Sequence, residues 1–162
     1  MAARAFWSSC AVYAVVLAVL AATLPGRVPV HFGVDLQVDR TGSRTGLLVV
    51  AALAGLLLAA LFGGLGRLVG RVRLDLVNVP HERYWKDPEH EDELRRRMRT
   101  DVLALGAASL VLLAGEFGLI GAAAVAGTGL SAWSPVLLVA FLAGVVGWAV
   151  WLSTHRYRPP ER

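Results

Sequence analysis

Polar and apolar positions do not alternate along this chain; they fall in long blocks. Four stretches, Phe6–Leu24, Gly46–Leu65, Val102–Ala126 and Val136–Leu152, run for 19, 20, 25 and 17 residues with one charged side chain among them, Glu116. As helices rising 1.5 Å per residue they reach roughly 26–38 Å, which matches a hydrocarbon core about 30 Å thick. A membrane β-barrel needs short alternating strands, and the blocks do not supply them. Helices remain, because in lipid each backbone N–H and C=O must be paired within its own segment. The pattern predicts an all-α integral membrane four-helix bundle, a single domain over residues 1–162, with an outer loop at 25–45 and a cytoplasmic loop at 66–101.

The placement of Lys and Arg predicts the orientation. Thirteen of the sixteen fall in residues 1–5, 66–101 and 153–162, and only Arg27, Arg40 and Arg44 fall on the other side. Basic residues concentrate in cytoplasmic loops, so both termini are expected in the cytoplasm of a bacterial cell, with the chain crossing the cytoplasmic membrane several times. A cleaved signal peptide is the rival for the first block. Its uncharged run is too long for that reading, and Trp7 stands where an interfacial anchor belongs. Trp133 at the outer end of the fourth span, and Trp151 with Tyr157 at its inner end, read as interfacial aromatics as well.

Composition agrees, with 56% hydrophobic and 17% charged residues and a mean hydropathy of +0.59. The net charge of +4 flanks apolar spans, so anionic lipid headgroups, not nucleic acid, are the expected partner. Cys10 is the only cysteine, which excludes an intrachain disulfide. Ala51, Gly55, Ala59 and Gly63 in span two, and Ala114, Gly118 and Ala122 in span three, offer faces for close helix approach and for a homo-oligomer. In a chain this rich in alanine and glycine such stripes also arise by chance.

The connectors carry the remaining signals. Pro25 ends the first span for want of an N–H, and Val28–Phe32 favours a short extended piece. Asp39-Arg40-Thr41-Gly42 reads as a turn, and Ser43 as the N-cap of span two. In the inner loop, Arg67–Tyr84 mixes arginine with aliphatic residues, as an interfacial continuation of span two would. Asp87 reads as an N-cap with Pro88 at the first helical position. The pairs Glu91–Arg95, Asp92–Arg96 and Glu93–Arg97 then stabilise that helix, which is expected to run unbroken into span three. The simplest reading of this charge cluster is a solvated face with a stop-transfer signal; a docking patch for anionic lipid or a cytosolic partner is the sharper one.

Two of these segments resemble a known family. Pro29, His31, Phe32, Gly33, Asp39, Gly42, Ser43 and Arg44 are similar to the signature of a bacterial domain of unknown function that opens the membrane proteins conferring immunity to the sporulation-delaying (Sdp) toxin. Leu36 stands where that family usually has glycine, and Thr41 where it often has tryptophan. Asn78, Pro80, Tyr84 and Trp85, followed by Pro88, resemble its cytoplasmic segment, so the likeness covers roughly residues 24–100. It implies a helical membrane module of unknown biochemistry. The immunity branch carries a further membrane domain, so immunity itself is not carried over.

No zinc spacing, nucleophile elbow, phosphate loop or dinucleotide fingerprint occurs, and no cofactor is expected. His31 with Asp35 and Asp39, and His81, Glu82, His90 and Glu91, lack a ligand spacing. Glu116 is the residue that stands out. An ionised carboxylate in hydrocarbon costs several kcal/mol, so it must find a partner, face water or be neutral. Tyr13, Ser8, Ser9 and Cys10 of span one are the partners the sequence offers. The expectation is a non-enzymatic accessory, sensing or immunity-like protein whose outer loop meets a peptide or envelope component. A small transport or channel subunit built on Glu116 is the alternative, and a membrane hydrolase ranks third.

Overall fold

The structure is a computed structural model that describes residues 1–159; Arg162, counted above among the inner basic residues, lies outside the described residues. Five α-helices and one β-hairpin follow in the order α1 (Ala2–Thr23), β1 (Arg27–Phe32), β2 (Val38–Ser43), α2 (Arg44–Leu68), α3 (Glu82–Trp85), α4 (Glu91–Ala126) and α5 (Trp133–Trp151). Four of them, α1, α2, α4 and α5, are long and apolar enough to cross a membrane. The four-helix membrane architecture is thus as the blocks predict, with a small antiparallel sheet added at one end.

The four spanning helices are not equal partners. Phe6, Tyr13 and Leu20 of α1, Leu47 and Ala51 of α2, and Leu103, Leu110, Ala114 and Phe117 of α4 form one buried core. Helix α5 contributes nothing to it: none of its residues is buried, and among the spanning helices it packs chiefly on α4. The membrane part is therefore a three-helix core with α5 attached to its flank.

Close packing in that core is made by glycines. A Cβ on Gly106 of α4 would lie 2.6 Å from Phe62 Cβ and 2.9 Å from Phe6 Cε2, so three helices meet at a point with no room for a methyl group. On the stripe of span two, Ala51, Gly55 and Gly63 are buried inside the molecule, where Gly55 receives the Tyr13 ring. Tyr13 completes that seam by donating its hydroxyl proton to the Ala51 carbonyl at 2.6 Å. These small residues serve packing within the chain. On the span-three stripe only Ala114 is buried, while Gly118 faces open space and Ala122 is exposed.

The connector after α2 departs from the expected interfacial helix. Helix α2 stops at Leu68, and residues 69–90 fold back as a 3₁₀ turn (Leu74–Leu76) and the short α3. The backbone turns because Arg95 of α4 donates from one nitrogen to the carbonyls of Val69 (3.0 Å) and Val72 (2.9 Å). Helix α4 starts at Glu91, three residues later than the Asp87 cap predicts. Asp87 instead accepts from the Glu89 N–H at 3.0 Å, holding Pro88 in a separate turn. From there α4 runs unbroken for 36 residues. Glu91–Arg95 and Glu93–Arg97 pair as expected, but Arg96 turns to Glu93 and not to Asp92.

Candidate functional site

The hairpin is the best-built polar structure at its end of the molecule. Val28 is fully buried and Pro29 lies beside it, so β1 is pinned on the helix ends, whereas β2 is exposed along almost its whole length. The Asp39–Gly42 segment is strand, not turn; the chain reverses at Gly33–Gln37, where Gly33 N–H donates to Gln37 O at 2.8 Å. Gly42 lets the strands approach closely, since a Cβ there would sit 2.8 Å from Val30 Cγ1 and the Val30 side chain would have to shift. Ser43 caps α2 as predicted, its Oγ accepting from Gly46 N–H at 3.0 Å, and Arg44 reaches the Ala21 carbonyl at the end of α1.

At the tip Leu36 has φ +62°, a left-handed conformation that costs an L side chain about 1 kcal/mol or more. This is the position where the resembled family has glycine, and the geometry supplies the reason. The Leu36 carbonyl accepts from Leu130 N–H at 2.8 Å, tying the tip to the α4–α5 connector. Leu36→Gly is expected to raise the stability of the hairpin by about 0.5–1 kcal/mol, while Leu36→Val lowers it by more. Hydrogen-exchange protection of the Gly33 and Leu130 amides checks both; equal protection in the three proteins would remove strain as the explanation.

Two bulges in the ladder, on either side of His31, bring His31 and Asp39 together with Nδ1 2.7 Å from Oδ1. Their side chains are 59% and 53% exposed, so the pair adds little to stability. Arg44 N–H donates to Gly26 O, which makes 26 and 44 a hydrogen-bonded pair. Alternation then leaves Pro29 and Thr41 as a non-bonded pair. Pro29 thus loses nothing by lacking an N–H, and Thr41 turns its N–H and C=O to the free edge of β2. Phe32 and Gly33 are half-buried, and Val30, Val34 and Val38 are exposed apolar residues around the same hairpin.

At the other end, the second motif folds into a cap. Trp85 is 1% exposed and packs with Leu74, Val79, Leu94 and Tyr157. Its Nε1–H donates to the Tyr157 carbonyl at 2.7 Å, and the Arg97 guanidinium stands 4.7 Å over its ring. Arg97 also donates to the Arg156 carbonyl, and Tyr157 OH donates to buried Asp101 at 2.8 Å. Burial and the Asp101 carboxylate together push the Tyr157 phenol well above its ordinary range. Tyr157 is therefore part of the cap's core and not an interfacial anchor, and a one-turn π-helical segment (Leu152–Arg156) delivers it there. Tyr84 stacks on His90 with centroids 3.9 Å apart, Pro80 is half-buried, and Asn78 and Pro88 are at the surface. The predicted solvated charge cluster is thus the outside of a small folded unit.

Glu116 meets none of the partners expected from span one. Ser134, in the first turn of α5, donates to its Oε2 at 2.6 Å, and its Oε1 is buried without a partner. The contact sets α5 low: Ser134, its second residue, lies beside Glu116, which is ten residues short of the α4 end at Ala126, about 15 Å along the axis. Trp133, which starts α5 beside this contact, is exposed. Among the described residues, no group of three or more His, Cys, Asp or Glu side chains is placed to hold a metal ion.

Residues 9–55 match the family model described as a domain of unknown function, DUF1648. The match takes in α1 from Ser9, the whole hairpin and the first half of α2; the Asn78–Trp85 motif lies outside it. No curated protein matches the chain, and no solved structure matches it. Hairpin, cap and Glu116 are thus three sites in a membrane protein of unknown biochemistry, and only the first lies within the matched residues.

Proposed function

We propose that the chain is a non-enzymatic accessory or sensing protein of the bacterial cytoplasmic membrane, immunity-like in kind, whose hairpin recognises an extended peptide or envelope component outside the cell. The basic bias of the loops supports this orientation, with both termini and the Trp85 cap in the cytoplasm. The carrying observation is a hairpin braced from beneath at Val28 and tied at its tip to Leu130, yet open along β2. Such an edge accepts an added strand through main-chain hydrogen bonds, with side chains selecting the ligand. Around it stand the exposed valines for apolar contact and the His31–Asp39 pair for polar contact.

The test uses cells expressing the protein, challenged with a panel of envelope-active peptides, alongside a photo-crosslinking residue at Thr41. His31→Ala and Asp39→Ala are expected to change sensitivity to at least one peptide by about tenfold, with unchanged protein level in the membrane. Crosslinks at Thr41 should report the same peptide. Sensitivity identical across all variants and the empty strain, with no crosslinked species, would defeat the reading. The partly unpartnered carboxyl of Glu116 favours a second reading, a small transport subunit working as a homo-oligomer. Ion flux in proteoliposomes that is lost in Glu116→Gln would support it.

A further inference from the structure

We infer that the hairpin is an interfacial element: the face that carries Val30, with Val34 at the tip, lies in the lipid of the adjoining leaflet, and the bilayer surface is its partner. The inference stands on where the hairpin is fastened and does not require the recognition reading.

The base of the hairpin decides which face looks at the membrane. Val28 is fully buried and belongs to one core cluster with Leu20 of α1, Leu47 of α2 and Phe117 of α4. Gly42 is its partner across the ladder, and directly opposed residues of an antiparallel pair share a face. A Cβ on Gly42 would meet Val30 Cγ1, so Val30 lies on that face too. Within two residues the face that packs on the spanning helices therefore passes from a buried valine to one that is 45% exposed. It runs on past the rim of the core and joins the exposed apolar sides that the same helices turn to lipid.

The tip is fastened as well. The Leu36 carbonyl accepts from Leu130 N–H at 2.8 Å. Gly129 stands so close that an added Cβ would lie 2.7 Å from that carbonyl oxygen and 3.0 Å from Gln37 Nε2. Both residues belong to the connector between α4 and α5, which leads to Ser134 at its contact with Glu116. A hairpin held at base and tip by spanning helices lies across the end of the bundle and cannot stand clear of the bilayer. Val30 and Val34 are each two residues from a fastened position, so at most about 7 Å of extended chain separates them from it. Val34 is nonetheless fully exposed and Val38 partly so. Apolar side chains kept at this level lose their contact with water by entering lipid, and an exposed apolar patch of this kind marks a membrane contact. Arg27 and Arg40, exposed on the same two strands, suit the phosphates of the headgroup layer. A peptide adding to the β2 edge would then be met at the lipid surface.

The experiment reads quenching of a fluorophore by nitroxide-bearing phospholipids in reconstituted vesicles, with single cysteines introduced into a Cys10→Ser background. Labels at Val30→Cys and Val34→Cys are expected to be quenched several-fold more than one at Glu89→Cys, an exposed position in the turn before α4. Val34→Asp, tested with the label at Val38→Cys, should lift the tip and cut quenching there to the level at Glu89, while the protein stays monodisperse. Quenching at Val30 and Val34 no greater than at Glu89 overturns the proposal. So does quenching at Val38 that Val34→Asp leaves unchanged. If the hairpin labels are quenched as expected and no peptide changes sensitivity or crosslinks, the recognition reading alone falls.

Discussion

Trp85→Ala is expected to dissolve the cap while leaving the spanning helices intact. Trp85 is among the largest fully buried side chains of the protein, and its loss removes a packed indole, the hydrogen bond to the Tyr157 carbonyl and the surface on which Arg97 rests. Truncations of this kind cost about 3–5 kcal/mol. A unit as small as residues 69–90 with the end of α5 cannot lose that much and stay folded. Trypsin should then cut the reconstituted protein at Arg71, Arg73 and Arg83 far faster than the wild type, with far-UV helicity nearly unchanged. Trp85→Phe keeps most of the bulk and should fall between the two. Cleavage at the wild-type rate in Trp85→Ala would mean that the cap is held by something other than this side chain.

The second large effect is expected in the membrane. Gly106→Val places a branched side chain where a single Cβ already meets Phe62 Cβ at 2.6 Å. Phe62 cannot yield there, because its Cβ moves only with its backbone, and α1 closes the other side through Phe6. Overpacking of this kind costs about 1–3 kcal/mol and sometimes more. A lower midpoint of thermal unfolding in detergent, or monodisperse protein recovered in much reduced yield, would bear this out. Gly118→Val, in open space on the same helix, is the control and should be close to neutral. If both variants melt alike, close approach at Gly106 is not what holds α1, α2 and α4 together.

These two positions differ in how visible they are in the sequence. Trp85 lies in a segment whose resemblance singles it out. Its role still stays hidden, since the partners Arg97, Asp101 and Tyr157 come from α4 and from the end of α5. Gly106 carries no signal at all. It is one of 17 glycines, and the small-residue spacing points instead to Gly118, where an added Cβ would meet nothing within 4 Å. Asp39–Gly42 reads locally as a turn because Asp and Gly favour turns. Pairing with Val28–Phe32 overrides that preference, and the reversal moves to Gly33–Gln37.

What the sequence determined by itself was the solvent. Long uncharged blocks have nowhere to satisfy their backbone except in membrane helices, and that argument needs no knowledge of neighbours. The N-cap at Ser43 and the ion pairs of α4 are equally local, because they join residues three or four positions apart. Only the tertiary structure decided that α5 stands outside the core and starts low, that Ser134 meets Glu116, and that arginine-rich loops build a cap around Trp85. Each of these joins residues far apart in the chain. In lipid, where apolar faces are interchangeable, close fit and a few polar contacts choose among arrangements that hydrophobicity cannot rank.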